Sequence, residues 1–222
     1  MKIHPLRNLF LLLCFAAIIL PAFAQAQPTA VKTRMLFVFD ASQSMYARWE
    51  NGSKMQIATR LLREMVDSLE NVDNVELALR VYGHQNAVVP GSRNCKDTKL
   101  EVPFAAKNHQ KIRDRLSTLR PMGTTLIAYA LEKAANDFPA CSNCRNIIIL
   151  ITDGIEECDG DPCAVSLGLQ KNGIVLKPFV IGLGLEPEVI DAFKCVGNYY
   201  DAQNEKTFRN VLGIVISQAL NT

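Results

Sequence analysis

Met35-Leu36-Phe37-Val38-Phe39-Asp40-Ala41-Ser42-Gln43-Ser44 decides the fold of this chain. Five apolar residues in a row stop abruptly at an acid followed by two hydroxyls. Such a run reads as a buried strand that carries its polar C-terminal loop to the edge of an open α/β sheet, where those sheets bind ligands. Asp40, Ser42 and Ser44 then offer one carboxylate and two hydroxyls from a single turn. An all-oxygen set suits hard cations such as Mg²⁺ or Ca²⁺. Asp and Ser also cap helices and shape turns, so the motif alone leaves both readings open.

The same design recurs further along. Asn146-Ile147-Ile148-Ile149-Leu150-Ile151 is the most apolar strand candidate in the mature chain and ends at Thr152-Asp153-Gly154. Between the two runs, Met55–Leu69 carries apolar residues at helical spacing with Arg60, Arg63, Glu64 and Asp67 between them, which predicts an amphipathic helix lying on a sheet. Val75–Tyr82 reads as a second strand, and Leu100–Phe104 as an antiparallel edge strand after the Pro, Gly and Asn cluster at 86–94. Helices are expected from about Gln110 to Leu119, from Leu126 to about Phe138 after Met122-Gly123-Thr124-Thr125, and over Pro162–Lys171. Ile174–Ile181 predicts a strand, Glu186 to about Val196 a helix, Tyr199–Asp201 a short strand and Thr207–Leu220 a closing helix. The segment Tyr46–Ser53, with Trp49 and the turn dipeptide Asn51-Gly52, reads as a loop; Asn51-Gly52-Ser53 also fits a glycosylation acceptor. Six strands alternating with six helices imply a mostly parallel sheet covered on both faces.

At 222 residues, 49% of them apolar, the composition supports one sizeable globular domain. Residues 1–24 form a targeting segment: Lys2 and Arg7 precede the apolar stretch Leu9–Leu20, and small residues follow it. Cleavage is expected after Ala24 or Ala26, with a retained anchor as the alternative. Residues 25–32 are a linker and 33–222 the domain. Three leucines before Cys14 argue against lipid modification. Losing Lys2 and Arg7 leaves 22 Lys and Arg against 22 Asp and Glu, so no basic stripe recruits nucleic acid or an anionic membrane. The six remaining cysteines, Cys95, Cys141, Cys144, Cys158, Cys163 and Cys195, form an even set behind a secretory signal, which reads as three disulfides with 15 possible pairings. Cys141-x-x-Cys144 has zinc half-site spacing, but no second pair completes it.

On such a sheet Asp40, Ser42 and Ser44, the threonines Thr124 and Thr125, and Asp153 converge at one edge. Two carboxylates with several hydroxyls make a cation shell that leaves a position for water or a partner's carboxylate. In these residues the chain resembles the von Willebrand factor A domain and its metal-ion-dependent adhesion site, over about residues 33–220. Val81-Tyr82-Gly83-His84 and the run Glu156–Cys163 also look like small exported bacterial A-domain proteins. The resemblance implies a Rossmann-like doubly wound α/β fold with strand order 3-2-1-4-5-6 and strand 3 antiparallel. It implies that Ser42 and Ser44 bind a divalent cation directly, that Thr125 does so in the ligand-bound state, and that Asp40 and Asp153 act directly or through water. Thr124 is the alternative to Thr125. Mg²⁺ is the expected ion ahead of Ca²⁺ or Mn²⁺. Placed on that fold, Cys141 pairs with Cys144, Cys95 with Cys158 and Cys163 with Cys195, with a short Cys158–Cys163 loop as the competing choice.

Other chemistries find less support. His84 and His109 are the only histidines of the mature chain, and no Ser-His-acid set assembles around His84. Ser42 stands where an Asp-based phosphotransferase would carry its second acid, and no phosphate-cradling Gly-x-x-x-x-Gly-Lys-Ser/Thr loop is present. Glu156, Glu157, Asp159 and Asp161 read either as a second cation site or as a solvated acidic loop. Trp49 and Tyr46 read either as partner contacts beside the metal or as packing against the first helix. The expected function is a non-enzymatic, exported, periplasmic or secreted module that grips an acidic residue of a protein partner through the metal. The alternative is an envelope assembly subunit whose metal only stabilises the fold.

Overall fold

A computed structural model describes residues 31–171, 174, 179–185 and 190–221. The targeting segment and residues 25–30 of the linker lie outside them, as do parts of the stretches expected as a strand over Ile174–Ile181 and a helix over Glu186–Val196. The sheet has six strands: β1 (Lys32–Asp40), β2 (Val75–Tyr82), β3 (Thr98–Ala105), β4 (Cys144–Thr152), β5 (Phe179–Leu183) and β6 (Asn198–Ala202). Their order is β3-β2-β1-β4-β5-β6. All neighbours are parallel except β2 and β3. The chain therefore winds outward from β1 in one direction, returns, and winds outward in the other. The reversal opens a crevice between β1 and β4 at their C-terminal ends, where doubly wound sheets hold ligands.

Alternation along β1 divides the core in two. Met35, Phe37 and Phe39 face one cluster, and Leu36 and Val38 the other. The first is covered by α1 (Lys54–Ser68), α2 (His109–Thr118) and α5 (Glu205–Asn221), through Leu61, Leu62, Ile112, Leu116, Phe208 and Leu212. The second is covered by α3 (Ile127–Ala134) and α4 (Pro162–Lys171), through Ile127, Leu131 and Leu169. A strand buried on both faces needs apolar residues at every position, which is why the β1 and β4 runs do not alternate. Each such side chain removed from water contributes up to about 1.5–3 kcal/mol.

The free flank of β3 is one edge of the sheet. Pro103 interrupts its hydrogen-bonding potential, the exposed Lys99 places a charge on it, and its register against β2 shifts between Leu77 and Arg80. Two expectations change. Tyr46–Ser53 is not simply a loop: Arg48–Trp49 pairs with Gly52–Ser53 in a small antiparallel hairpin, with Glu50 at φ 50°. The third helix stops at Ala134 instead of Phe138: the chain tightens into a turn ahead of Pro139, and Asp137 accepts two hydrogen bonds from Arg80, at 2.6 and 2.7 Å.

Candidate metal centre

Backbone hydrogen bonds assemble the crevice. Asp40 is the last residue of β1, and Ala41 N–H donates to the Tyr82 carbonyl at 2.9 Å. Met122 N–H donates to the Ala41 carbonyl at 3.0 Å, and Gly123 N–H to the Gly83 carbonyl at 2.8 Å. Gln43 N–H donates to the Gly123 carbonyl at 2.8 Å, so Ser42 and Gly123 pair like one rung of a sheet. This approach needs glycine at 83. Its φ is +67°, and a Cβ there would sit 2.9 Å from Ser42 N and Cα and 3.0 Å from the Thr124 carbonyl.

The side chains form a continuous network. Asp40 Oδ1 accepts from Ser42 N–H at 2.7 Å and Oδ2 from the Thr152 hydroxyl at 2.8 Å; Tyr82 donates to the same Thr152 oxygen at 3.1 Å. Ser44 Oγ donates to Asp153 Oδ1 at 2.6 Å. That spends its only proton, so in the 2.9 Å contact between the two serines Ser42 is the donor. On the far side, Lys54 Nζ lies 3.0 Å from Asp153 Oδ2. Burial, reinforced by the charge of Asp153, pushes the Asp40 carboxyl up to about 6 against the hydrogen bonds it accepts. Burial and then the charge of Asp40 raise the Tyr82 hydroxyl well above its ordinary value, which keeps it a donor.

Thr125 closes the arrangement. A Cβ on Gly154 would lie 3.6 Å from Thr125 Oγ1 and 3.9 Å from Ser44 Oγ, so both hydroxyls converge on that glycine. Thr125 is clamped from behind: its N–H donates to Glu157 Oε2 at 2.9 Å, and Glu157 N–H donates to its carbonyl at 3.0 Å. Thr124 is buried beside it and lines the same cleft of about 450 Å³ with Ser42, Ser44, Thr125, Glu157 and Arg93. Cys95 is bonded to Cys158, joining the loop that carries Arg93 to the one that carries Glu157; Cys141 is bonded to Cys144 and Cys163 to Cys195.

The acidic run has work of its own. Glu156 accepts from Ala128 N–H at 2.7 Å, capping the first turn of α3, and from Cys158 N–H at 2.9 Å. Asp161 accepts from Cys163 and Ala164 N–H at 2.9 and 3.0 Å at the start of α4. Among the described residues no cluster of three or more His, Cys, Asp or Glu side chains is placed to hold a metal. Trp49 is 8% exposed, packs on Phe208 and donates to the Gln203 carbonyl at 3.1 Å; the reading of Trp49 as an exposed contact is corrected, while Tyr46 is 59% exposed. His84 is buried and bonded to Glu101 at 2.9 Å. Sequence reasoning left Lys54, Tyr82 and Asp97 without roles. Asp97 accepts from Gln85 and Asn86 N–H and so shapes the loop after β2. An acid just after the Pro, Gly and Asn cluster at 86–94 was its one signal.

Carboxylate and hydroxyl oxygens that open on a cleft fit a hard divalent cation, and no soft ligand intrudes. A doubly wound sheet with these three loops at its switch point defines a von Willebrand-type α/β domain with the residues of a metal-ion-dependent adhesion site. The chain belongs to the von Willebrand factor type A domain family, whose model matches residues 35–156. Among relatives it is similar to the uncharacterized protein YwmD of Bacillus subtilis, 30% identical over 169 residues, which are 75% of this chain and 74% of YwmD. It is also similar to the uncharacterized protein YwmC of the same organism, 27% identical over 203 residues, covering 86% of this chain and 87% of YwmC. Among solved structures, the conserved hypothetical protein BatB of Bacteroides thetaiotaomicron aligns with a TM-score of 0.69 at 20% identity, over 86% of this chain and all of that one. The pilus adhesin SpaC of Lactobacillus rhamnosus GG aligns at 0.70 and 13% identity, over 87% of this chain and 31% of SpaC. Proximal thread matrix protein 1 of the mussel byssus, whose adhesion-site motif holds zinc, aligns at 0.63 and 21%, over 86% and 46%. These structures share the fold. No described helix is long and apolar enough to cross a membrane.

Proposed function

We propose that this domain is an exported, divalent-cation-dependent protein-binding module. Asp40, Ser42, Ser44, Thr125 and Asp153 are its metal set: Ser42 and Ser44 bind directly, Thr125 joins when a partner is engaged, and Asp40 and Asp153 act directly or through water. Mg²⁺ is preferred to Ca²⁺ or Mn²⁺. Bound there, the cation would supply an electrophilic position for an Asp or Glu of a protein partner. The observation that carries this reading is the Asp40–Ser42–Ser44–Asp153 network, which comes to an open cleft beside the Thr125 hydroxyl.

The alternative, a metal that only stabilises an assembly subunit, is less favoured for a structural reason. Loops 40–44, 83–86 and 122–125 are already held by backbone bonds that require no ion. Export, with residues 1–24 as signal peptide, is supported by the disulfides, which persist in oxidising compartments. The adhesin among the structural neighbours agrees with a binding role. A non-enzymatic role agrees with His84, whose buried imidazole is occupied by Glu101 and is not paired with Ser42 or Ser44.

Calorimetric titration of Mg²⁺, Ca²⁺ and Mn²⁺ into the oxidised chain, followed by panning of an acidic-peptide display library with Mg²⁺ or chelator, tests the proposal. Peptide capture should disappear with chelator, in Asp40→Ala and in Ser44→Ala. Capture that survives both chelation and Asp40→Ala would exclude the mechanism. Capture that survives Ser44→Ala alone, while metal still raises the melting temperature, would favour the assembly alternative.

A further inference from the structure

Lys54 is placed against its local preference. It is the first residue of α1, where the helix dipole disfavours a cation, and the first turn of that helix has no acid to offset it. Its position is nevertheless built. Lys54 N–H donates to the Ala47 carbonyl at 3.0 Å, just after the turn that carries Ser44, and Ser53 and Gln56 form a reciprocal capping box around the helix start. The side chain, 15% exposed, runs inward to the Asp153 carboxylate, which is 1% exposed. A buried carboxylate beside a second buried carboxylate requires a counter-charge, and the ammonium supplies it.

We propose that Lys54 is a resident counter-cation of the metal cleft, which competes with the metal for Asp153 and leaves the loaded site positively charged toward an anionic ligand. This rests on the reading of the cleft as a metal site. Counted with Asp40, the Lys54–Asp153 pair and the cleft-lining Glu157 and Arg93 leave one net negative formal charge. A dication reverses that to one positive charge. Without Lys54 the loaded site would be neutral, and its attraction for a partner's carboxylate would fall. Lys54 thus weakens metal binding and strengthens anion binding, two effects of opposite sign.

That pair of signs is the test. Mg²⁺ and Ca²⁺ are titrated calorimetrically into the oxidised wild type, Lys54→Met, Lys54→Gln and Lys54→Arg, and acetate is then titrated into each Mg²⁺-loaded protein by NMR. Lys54→Met and Lys54→Gln should bind metal about tenfold or more tightly than wild type and acetate more weakly, and should melt lower when metal-free. Lys54→Arg should stay close to wild type in both titrations. A merely structural lysine would weaken metal and acetate binding together, and that result, or unchanged metal affinity in Lys54→Met and Lys54→Gln, overturns the inference while leaving the metal site standing. Absence of metal binding in every variant and in wild type overturns the site and the inference with it.

Discussion

Substitution of Gly83 by alanine probes the join on which the cleft depends. Gly83 has φ +67°, and an added Cβ would lie 2.9 Å from Ser42 N and Cα and 3.0 Å from the Thr124 carbonyl. All three are backbone atoms, so no side chain can swing aside. Left-handed backbone costs an alanine about 1–2 kcal/mol, and overpacking against fixed neighbours about 1–3 kcal/mol more. A total loss of about 3 kcal/mol in a domain of this size lowers the melting temperature by roughly 6–12 °C. Gly91→Ala is the internal control: its φ is +77°, but nothing lies within 4 Å of the added Cβ, so only the conformational cost applies. Urea unfolding of both variants with disulfides intact separates the two contributions. If Gly83→Ala loses no more than Gly91→Ala, the close approach of the β2 loop to the Ser42 turn is wrong, and with it the account of how the cleft is held.

Three further outcomes follow from other contacts. Arg80→Ala leaves the Asp137 carboxylate, buried and doubly bonded in the native state, without its partner, and should cost about 3–5 kcal/mol in denaturant unfolding. Glu101 is pushed up by burial, but its contacts with His84 and Arg115 outweigh that and hold it below the ordinary carboxylate value of 4.5. Its contribution is therefore present above about pH 4.5 and lost as pH falls through the lowered native value, so Glu101→Gln should flatten the acid limb of a stability–pH curve measured by urea unfolding. Replacing Cys95 and Cys158 together by serine opens a loop with a sequence separation of 63 and should lose up to about 4 kcal/mol by thermal unfolding under oxidising conditions.

The architecture was legible because two of its strands are buried on both faces. Met35–Phe39 and Ile147–Ile151 have no polar interruption, and an acid follows each within two residues, so both the strands and the loop ends at the crevice stand out in the chain. Other features depend on partners far away in sequence. Pro139 signals that α3 ends nearby, but not that it ends as early as Ala134, where the partner that holds Asp137 is Arg80, 57 residues earlier. Glu156 and Glu157 look like solvated acids until Ala128 and Thr125, 28 and 32 residues back, present their amides. Trp49 looks available to a partner until Phe208 and the Gln203 carbonyl cover it. Thr124 and Thr125 are indistinguishable as a pair of letters. The packing over Gly154 sets the Thr125 hydroxyl beside that of Ser44, while Thr124 lines the same cleft.

The β3 flank governs how this molecule can associate. An unpaired strand edge invites another chain to continue the ladder, and repetition of that step makes a fibre. Here Pro103 lacks an N–H, Lys99 sets an exposed charge on the strand, and the register against β2 is shifted. Growth by strand addition is therefore disfavoured on that side. The cleft at the end of the sheet is then left as the open face, away from a flank that resists pairing with neighbouring copies.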